Sequence, residues 1–167
     1  MLDLNQVQAD IELWIENFVE VPNPALGGWP PCPYARKARL ERDFDVRIGT
    51  EIVLDLTRVS QIGIDKSVVI FVYERNKYAH KDFAHLLEVL NTDYLVPKDL
   101  LALEDHPDDP EFVNGVCMNQ GTYTLALVQS LSDLDAKARL MAKNGFYDTW
   151  PEDYLKVLFN HRQDPRS

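Results

Sequence analysis

Ser67-Val68-Val69-Ile70-Phe71-Val72-Tyr73 is a continuous run of β-branched and aromatic side chains with no polar alternation after its first residue. Such a run fits a strand covered on both faces, because a half-solvated strand would alternate apolar and polar residues. It belongs at the centre of a sheet. Upstream, Phe44, Val46 and Ile48 alternate with Asp45, Arg47 and Gly49, the period-two pattern of a half-buried strand. Downstream, Phe83, Leu86, Leu87 and Leu90 return to helical spacing, with Asn91 as a stop and Pro97 just beyond. Residues 100–103 suit a strand or a turn. Residues 115–118 and 122–131 carry enough β-branched and aromatic character for one or two more strands. Ser132, followed by Asp133 and Asp135, opens a helix that Asn144-Gly145 closes, and a last helix starts at Pro151. Helices and strands interleaved around one buried strand predict an α+β fold. We expect a single domain over residues 1–167, with a mixed sheet of about four strands packed with helices.

The N-terminal part reads differently. Leu4, Val7, Ile11, Trp14, Ile15 and Phe18 recur at helical spacing, and Asp3 with Gln6 resembles a capping box, which predicts a helix over residues 3–20. Pro22, Pro24, Gly27, Gly28, Pro30, Pro31 and Pro33 then crowd residues 21–33, where neither a continuous helix nor a central strand can form. Pro33 suits a first helical position, which would put Cys32 at the N-cap of a short helix through Leu40. The core is expected over residues 34–160, with a frayed tail at 161–167. Asp105, His106, Pro107, Asp108, Asp109 and Pro110 form an acidic, doubly proline-punctuated stretch, read as a surface loop.

Composition narrows the partners. With 17 Lys and Arg against 27 Asp and Glu, the formal net charge is −10. That field repels phosphate, which argues against nucleic-acid binding and against an anionic membrane surface. No apolar run approaches the roughly 20 residues needed to cross a bilayer. Cys32 and Cys117 lie far apart and Met1-Leu2-Asp3-Leu4 has no basic, apolar leader, so a cytoplasmic protein with free thiols is expected.

Cys32 is the leading chemical candidate. A thiol at a helix N-cap faces unpaired N–H groups, and Arg36, Lys37 and Arg39 add positive charge, which together would lower its pKa towards neutrality. Cys32 and Arg36 are therefore the candidate catalytic pair, with Arg39 orienting a small anionic substrate through forked hydrogen bonds. Trp29 and Tyr34 could line the ligand pocket. Cys32-Pro33-Tyr34-Ala35 resembles the Cys-Pro-Tyr-Cys tetrad of glutaredoxins with its second cysteine replaced, which implies a one-cysteine redox site. More of the chain resembles an uncharacterised family of small bacterial proteins, in which a Trp-containing helix precedes a Cys-Pro-Phe-Ala-Arg motif. The matching residues are Trp14, Ile15 and Phe18, then Cys32 to Arg36, and more loosely His106-Pro107 and the segment from Asn119 to Tyr123. This resemblance implies a defined site near Cys32, which Asn119 and Tyr123 would join, and it names no substrate.

Two other classes stay open. The chain could be a non-catalytic interaction protein that uses the loop around Trp29 as its recognition surface, with Cys32 as packing. It could also be a non-haem metal enzyme through His80, Asp82 and His106 or His161, a two-His, one-carboxylate set. His80 and Asp82 sit two apart in a predicted helix and point to different faces, so no metal ligand is assigned. Asp105, Asp108, Asp109 and Glu111 are read as a solvated acidic surface rather than a calcium loop. The cofactor and the oligomeric state stay open.

Overall fold

The computed structural model describes residues 1–166. Its core is a four-stranded mixed sheet, with helices packed against it in a single α+β domain. β1 (Phe44–Ile48) runs parallel to β2 (Val68–Tyr73). The two are joined by α3 (Ile52–Ile62), a helix that the strand pattern alone did not predict. Glu51 caps this helix, accepting from the Val53 and Leu54 N–H groups, and Ile52, Leu56 and Val59 give it a buried stripe. α4 (His80–Leu90) then leads to β3 (Leu100–Asp105) at the sheet edge, and β6 (Thr124–Ser130) inserts antiparallel between β2 and β3. A minor hairpin joins β4 (Phe112–Val113) to β5 (Val116–Cys117).

β2 lies inside the sheet and is buried on both faces, as its sequence requires. Val69, Phe71 and Tyr73 point into a cluster with α3 and α4. Ile70 and Val72 point the other way, against Val7, Ile11 and Ile15 of the N-terminal helix α1 (Leu4–Trp14) and its continuation. Asp3 caps α1 through the Asn5 N–H, but Gln6 turns outward to Asp10 and the reciprocal half of the capping box does not form. A wider π-helical turn carries the chain on over Ile15–Val19.

A third cluster joins the proline-rich loop to the C-terminal helices α5 (Leu131–Lys143) and α6 (Glu152–Leu158). Leu26 inserts among Phe146, Tyr147, Trp150, Leu155 and Phe159, and Trp29 meets Phe146 edge-on at 5.9 Å. Trp150 staples this cluster, with its ring against Phe146, Tyr147 and Tyr154.

Residues 161–166 pack rather than fray. The Arg162 side chain is only 4% exposed, lies over the Phe159 ring and sits 3.6 Å from Asp135. Arg166 bridges Glu152 and Asp164. Of the expected tail, Ser167 lies outside the described residues.

One close approach fixes how β1 leaves the sheet. Gly49 donates its N–H to the Val72 carbonyl, and a Cβ there would sit 2.2 Å from Cε1 of Tyr73, whose hydroxyl donates to Asp55 at 2.8 Å. The buried ring cannot retreat without losing that bond. Gly49→Ala is expected to destabilise the fold by about 1–3 kcal/mol, the range for overpacking a core, read as a lower urea midpoint at unchanged slope. An unchanged midpoint would show that the Tyr73 ring yields freely.

Candidate functional site

The stretch after β3 does not form a solvated loop. His106 is fully buried, its Nε2 lies 2.8 Å from the Tyr78 carbonyl, and its Nδ1 accepts the Asp108 N–H at 3.0 Å. An acceptor at Nδ1 and a carbonyl at Nε2 place the ring proton on Nε2. With both nitrogens engaged, the chain reverses at once: the Asp109 N–H returns to the His106 carbonyl and the Glu111 N–H to that of Asp109. This hairpin brings the carboxyls of Asp109 and Glu111 back beside Glu104 at the end of β3. Asn119 secures the turn by donating to the Asp109 carbonyl at 3.0 Å and to Glu111 Oε2 at 3.4 Å. From α6, the Tyr154 hydroxyl donates to the other Glu111 oxygen.

These groups form one end of a cleft of about 780 Å³ along the outer edge of β3. α4 supplies Leu87 and Glu88 to its walls and its C-cap Asn91 follows, β3 supplies Leu101, Leu103 and Glu104, and α6 supplies Tyr154, Val157 and Leu158, with His161 beyond. Asn91 spans to the strand, donating to the Ala102 carbonyl and accepting its N–H at 3.0 and 2.8 Å, so part of the sheet edge is already paired.

Burial and mutual repulsion raise the carboxyl pKa values here. Glu104 is pushed up to about 8, first by burial, then by the charge of Asp109 and a hydrogen bond with its carboxyl, and then by Glu111 and Asp105. Asp105 is pushed up to about 7, by burial first and then by Glu111 and Asp109. Tyr154 is also raised, by burial and then by Glu111. Among the described residues, Asp105 Oδ1 and Glu104 Oε2 are buried with no hydrogen-bond donor. Arg75, just after β2, is paired with Asp108 of the hairpin. Carboxyls in this state suit two tasks: holding or passing a proton near neutral pH, and receiving a donor from a ligand.

The residues singled out from the sequence fall in other environments, with one exception. The short helix α2 (Ala35–Glu41) starts later than expected, so Tyr34, not Cys32, stands at its N-cap. Cys32 precedes it, partly buried. The Tyr34 and Ala35 amides favour its thiolate, but burial outweighs them and pushes the thiol up rather than towards neutrality. Arg36 is exposed on α2. Arg39 is held in a fork by Glu20 at 2.7 and 2.8 Å, with Glu16 at 3.3 Å, so its donors face a partner within the chain. The Tyr34 ring lies beneath Lys137, at 5.2 Å from Nζ. Trp29 packs inward on Phe146 instead of forming an exposed platform. Tyr123 donates to Asp10 and lines a separate cavity of about 360 Å³ with Trp14, Phe18 and Gln120. Asn119 alone reaches the carboxyl cleft.

His80 and His106 come within 6.0 Å between ring centroids, but both His106 nitrogens are taken. His161 pairs with Glu88 instead. Among the described residues no three His, Cys, Asp or Glu side chains converge for a metal ion.

The sequence reading noticed Asp105, Asp109 and Glu111 but missed Glu104 and Tyr154. The available signal was Leu100-Leu101-Ala102-Leu103 running directly into Glu104-Asp105, two acids at the end of an apolar strand. No protein-family model, curated protein or solved structure matches this chain. No helix among the described residues is long and apolar enough to cross a membrane.

Two outcomes check this electrostatic picture. Iodoacetamide is expected to modify Cys32 more slowly in the folded protein than in urea at pH 7; thiolate-like reaction below pH 7 would contradict the burial assignment. Because the folded Glu104 keeps a proton that the unfolded chain releases above about pH 4.5, its contribution to stability is lost as pH rises towards about 8. Glu104→Gln should therefore flatten the fall in melting temperature over that window and raise it at pH 9. A melting curve that falls identically in both proteins would remove Glu104 as the cause.

Proposed function

We propose that this chain is a small-molecule-binding protein whose ligand sits in the cleft beside β3, with the carboxyls of Glu104 and its neighbours as its binding and proton-transferring groups. The observation that carries this reading is the pair of adjacent β3 carboxyls with buried oxygens lacking donors, Glu104 lining one end of the 780 Å³ cleft and Asp105 just behind it. Ligand sites typically combine an apolar wall with a few convergent polar groups, and perturbed carboxyls concentrate at such places. Both features meet here. A carboxyl that titrates near neutrality suits general acid or base catalysis, so an enzyme acting on a substrate with a transferable proton falls within the proposal.

The reading built on Cys32 and Arg36 has less in its favour, since burial works against the thiolate and Glu20 occupies Arg39. The interaction-protein reading loses its platform with Trp29 turned inward. The resemblance to the small bacterial family stays a proposal and adds no substrate.

A fragment library split evenly among cationic, neutral and anionic compounds tests the location. Amide shift perturbations in ¹⁵N spectra are expected to cluster at Glu104, Glu111, Phe112 and Tyr154, and to weaken in Glu104→Gln. Hits that cluster instead around Cys32 and Arg36 would overturn the proposal in favour of the thiol site.

A further inference from the structure

Five carboxylates line the cleft, from Glu88, Glu104, Asp109, Glu111 and Asp153, and no Lys or Arg lines it. An anionic ligand would meet carboxyls on the strand, the hairpin and both helices, which favours a ligand of the opposite charge. Behind the lining, Asp105 is 6% exposed and its carboxyl faces Asp109 and Glu111. Its Oδ1 has no donor among the described residues. A buried acceptor left unpaired costs about 1–3 kcal/mol, which a ligand N–H would offset. The rest of the cleft is apolar: Leu101, Leu103 and Leu158 form the floor, and Phe112 and Val157 stand exposed at the rim. Three or more carboxylates converging on one ion would have favoured a metal, but the side chains here do not converge that way.

We propose that the cleft binds an organic cation with an aliphatic body, its ammonium group seated among Glu104, Asp109 and Glu111 and its chain lying along the β3 floor towards Phe112 and Val157. The proposal rests on the cleft being the ligand site. Binding exchanges one cation for another. The ammonium group arrives protonated, Glu104 releases the proton it holds to solvent, and charge-assisted N–H···O bonds replace the contact between the Glu104 and Asp109 carboxyls. The groups facing this exchange are Asp105 on the same strand, Asp109 and Glu111 on the hairpin, and Tyr154 on α6. Affinity for the cation therefore rises with pH between about 6 and 9, the range around the Glu104 titration.

Three probes of one chain length separate the possibilities: hexylamine, hexan-1-ol and hexanoate, each titrated by ¹⁵N spectra and calorimetry. Hexylamine is expected to perturb Glu104, Glu111, Phe112 and Tyr154 and to bind at least about tenfold more tightly than hexanol. At pH 7 its binding heat should change with the ionisation enthalpy of the buffer, as proton release requires. Glu104→Gln should abolish that buffer dependence, and Asp109→Asn provides a second variant should the first fold poorly. If hexanol or hexanoate binds in the cleft as well as or better than hexylamine, the cation inference fails while the cleft remains the site. Failure of all three to perturb cleft residues overturns both.

Discussion

A buried imidazole holds the site together. His106 has no solvent contact, and it meets the Tyr78 carbonyl with one nitrogen and the Asp108 N–H with the other. A ring bonded at both nitrogens has one tautomer and one orientation, so the backbone on either side of it is fixed as well. The segment before α4 and the turn after β3 are tied across 28 residues by this side chain. Together with Asn119 and Tyr154, that tie holds the acidic hairpin folded back on its own strand against the repulsion of four carboxyls. The aromatic surroundings of His106, Phe83 at 6.1 Å and His80 at 6.0 Å between ring centres, make it part of the hydrophobic packing of α4. Histidine here is an architectural residue, and its bonding explains why proximity to a second histidine does not amount to a metal site.

The sheet places this hairpin where it can matter. β2 and β6 form the buried interior, so β3 is left as an edge with groups to satisfy. Asn91 pairs with both polar groups of Ala102, and α6 covers the adjoining stretch from the side. Between those covers the chain leaves an open trough rather than a closed core. The third hydrophobic cluster, in which Leu26 and Trp150 lock the proline-rich loop to α5 and α6, sets where α6 lies and thus where Tyr154 meets Glu111. The proline-rich loop acts on the cleft through packing.

Much of the fold was legible because its strongest signals are local. An unbroken β-branched run such as 68–73 has one good environment, a strand buried on both faces, and the structure provides it. The spacing of Val7, Ile11 and Ile15 likewise has one good use, as the buried stripe of a helix. α3 carries the same spacing in Ile52, Leu56 and Val59, but its short stripe lies between two strands whose own patterns are stronger. The site was harder to find for a physical reason. Asp105 and Asp109 look like solvated loop acids in sequence, and the loop is turned inward by bonds from His106 to Tyr78, from Asn119 to Asp109 and from Tyr154 to Glu111, which the local sequence does not show. Cys32 misled in the opposite direction: its charged neighbours are visible in sequence, while the burial that outweighs them comes from packing that no local pattern records.

The cleft is costly to the fold. The chain already carries a formal charge of −10, and self-repulsion weakens any compact state. Gathering carboxyls at one strand end adds to that burden, and leaving buried oxygens without donors adds again. Elsewhere caps are satisfied at Asp3, Glu51 and Ser130 and the central strand is filled on both faces, while single buried polar atoms without a hydrogen bond remain at Trp14, Asp135, Trp150 and Arg162. What sets the cleft apart is that its two such atoms belong to adjacent carboxyls that face further carboxyls, a local conflict of the kind found where a site has a use besides folding. A proton held by Glu104 turns its repulsion with Asp109 into a hydrogen bond, while Asp105 Oδ1 keeps no donor among the described residues, so the strain at this strand end is relieved in part and not in full.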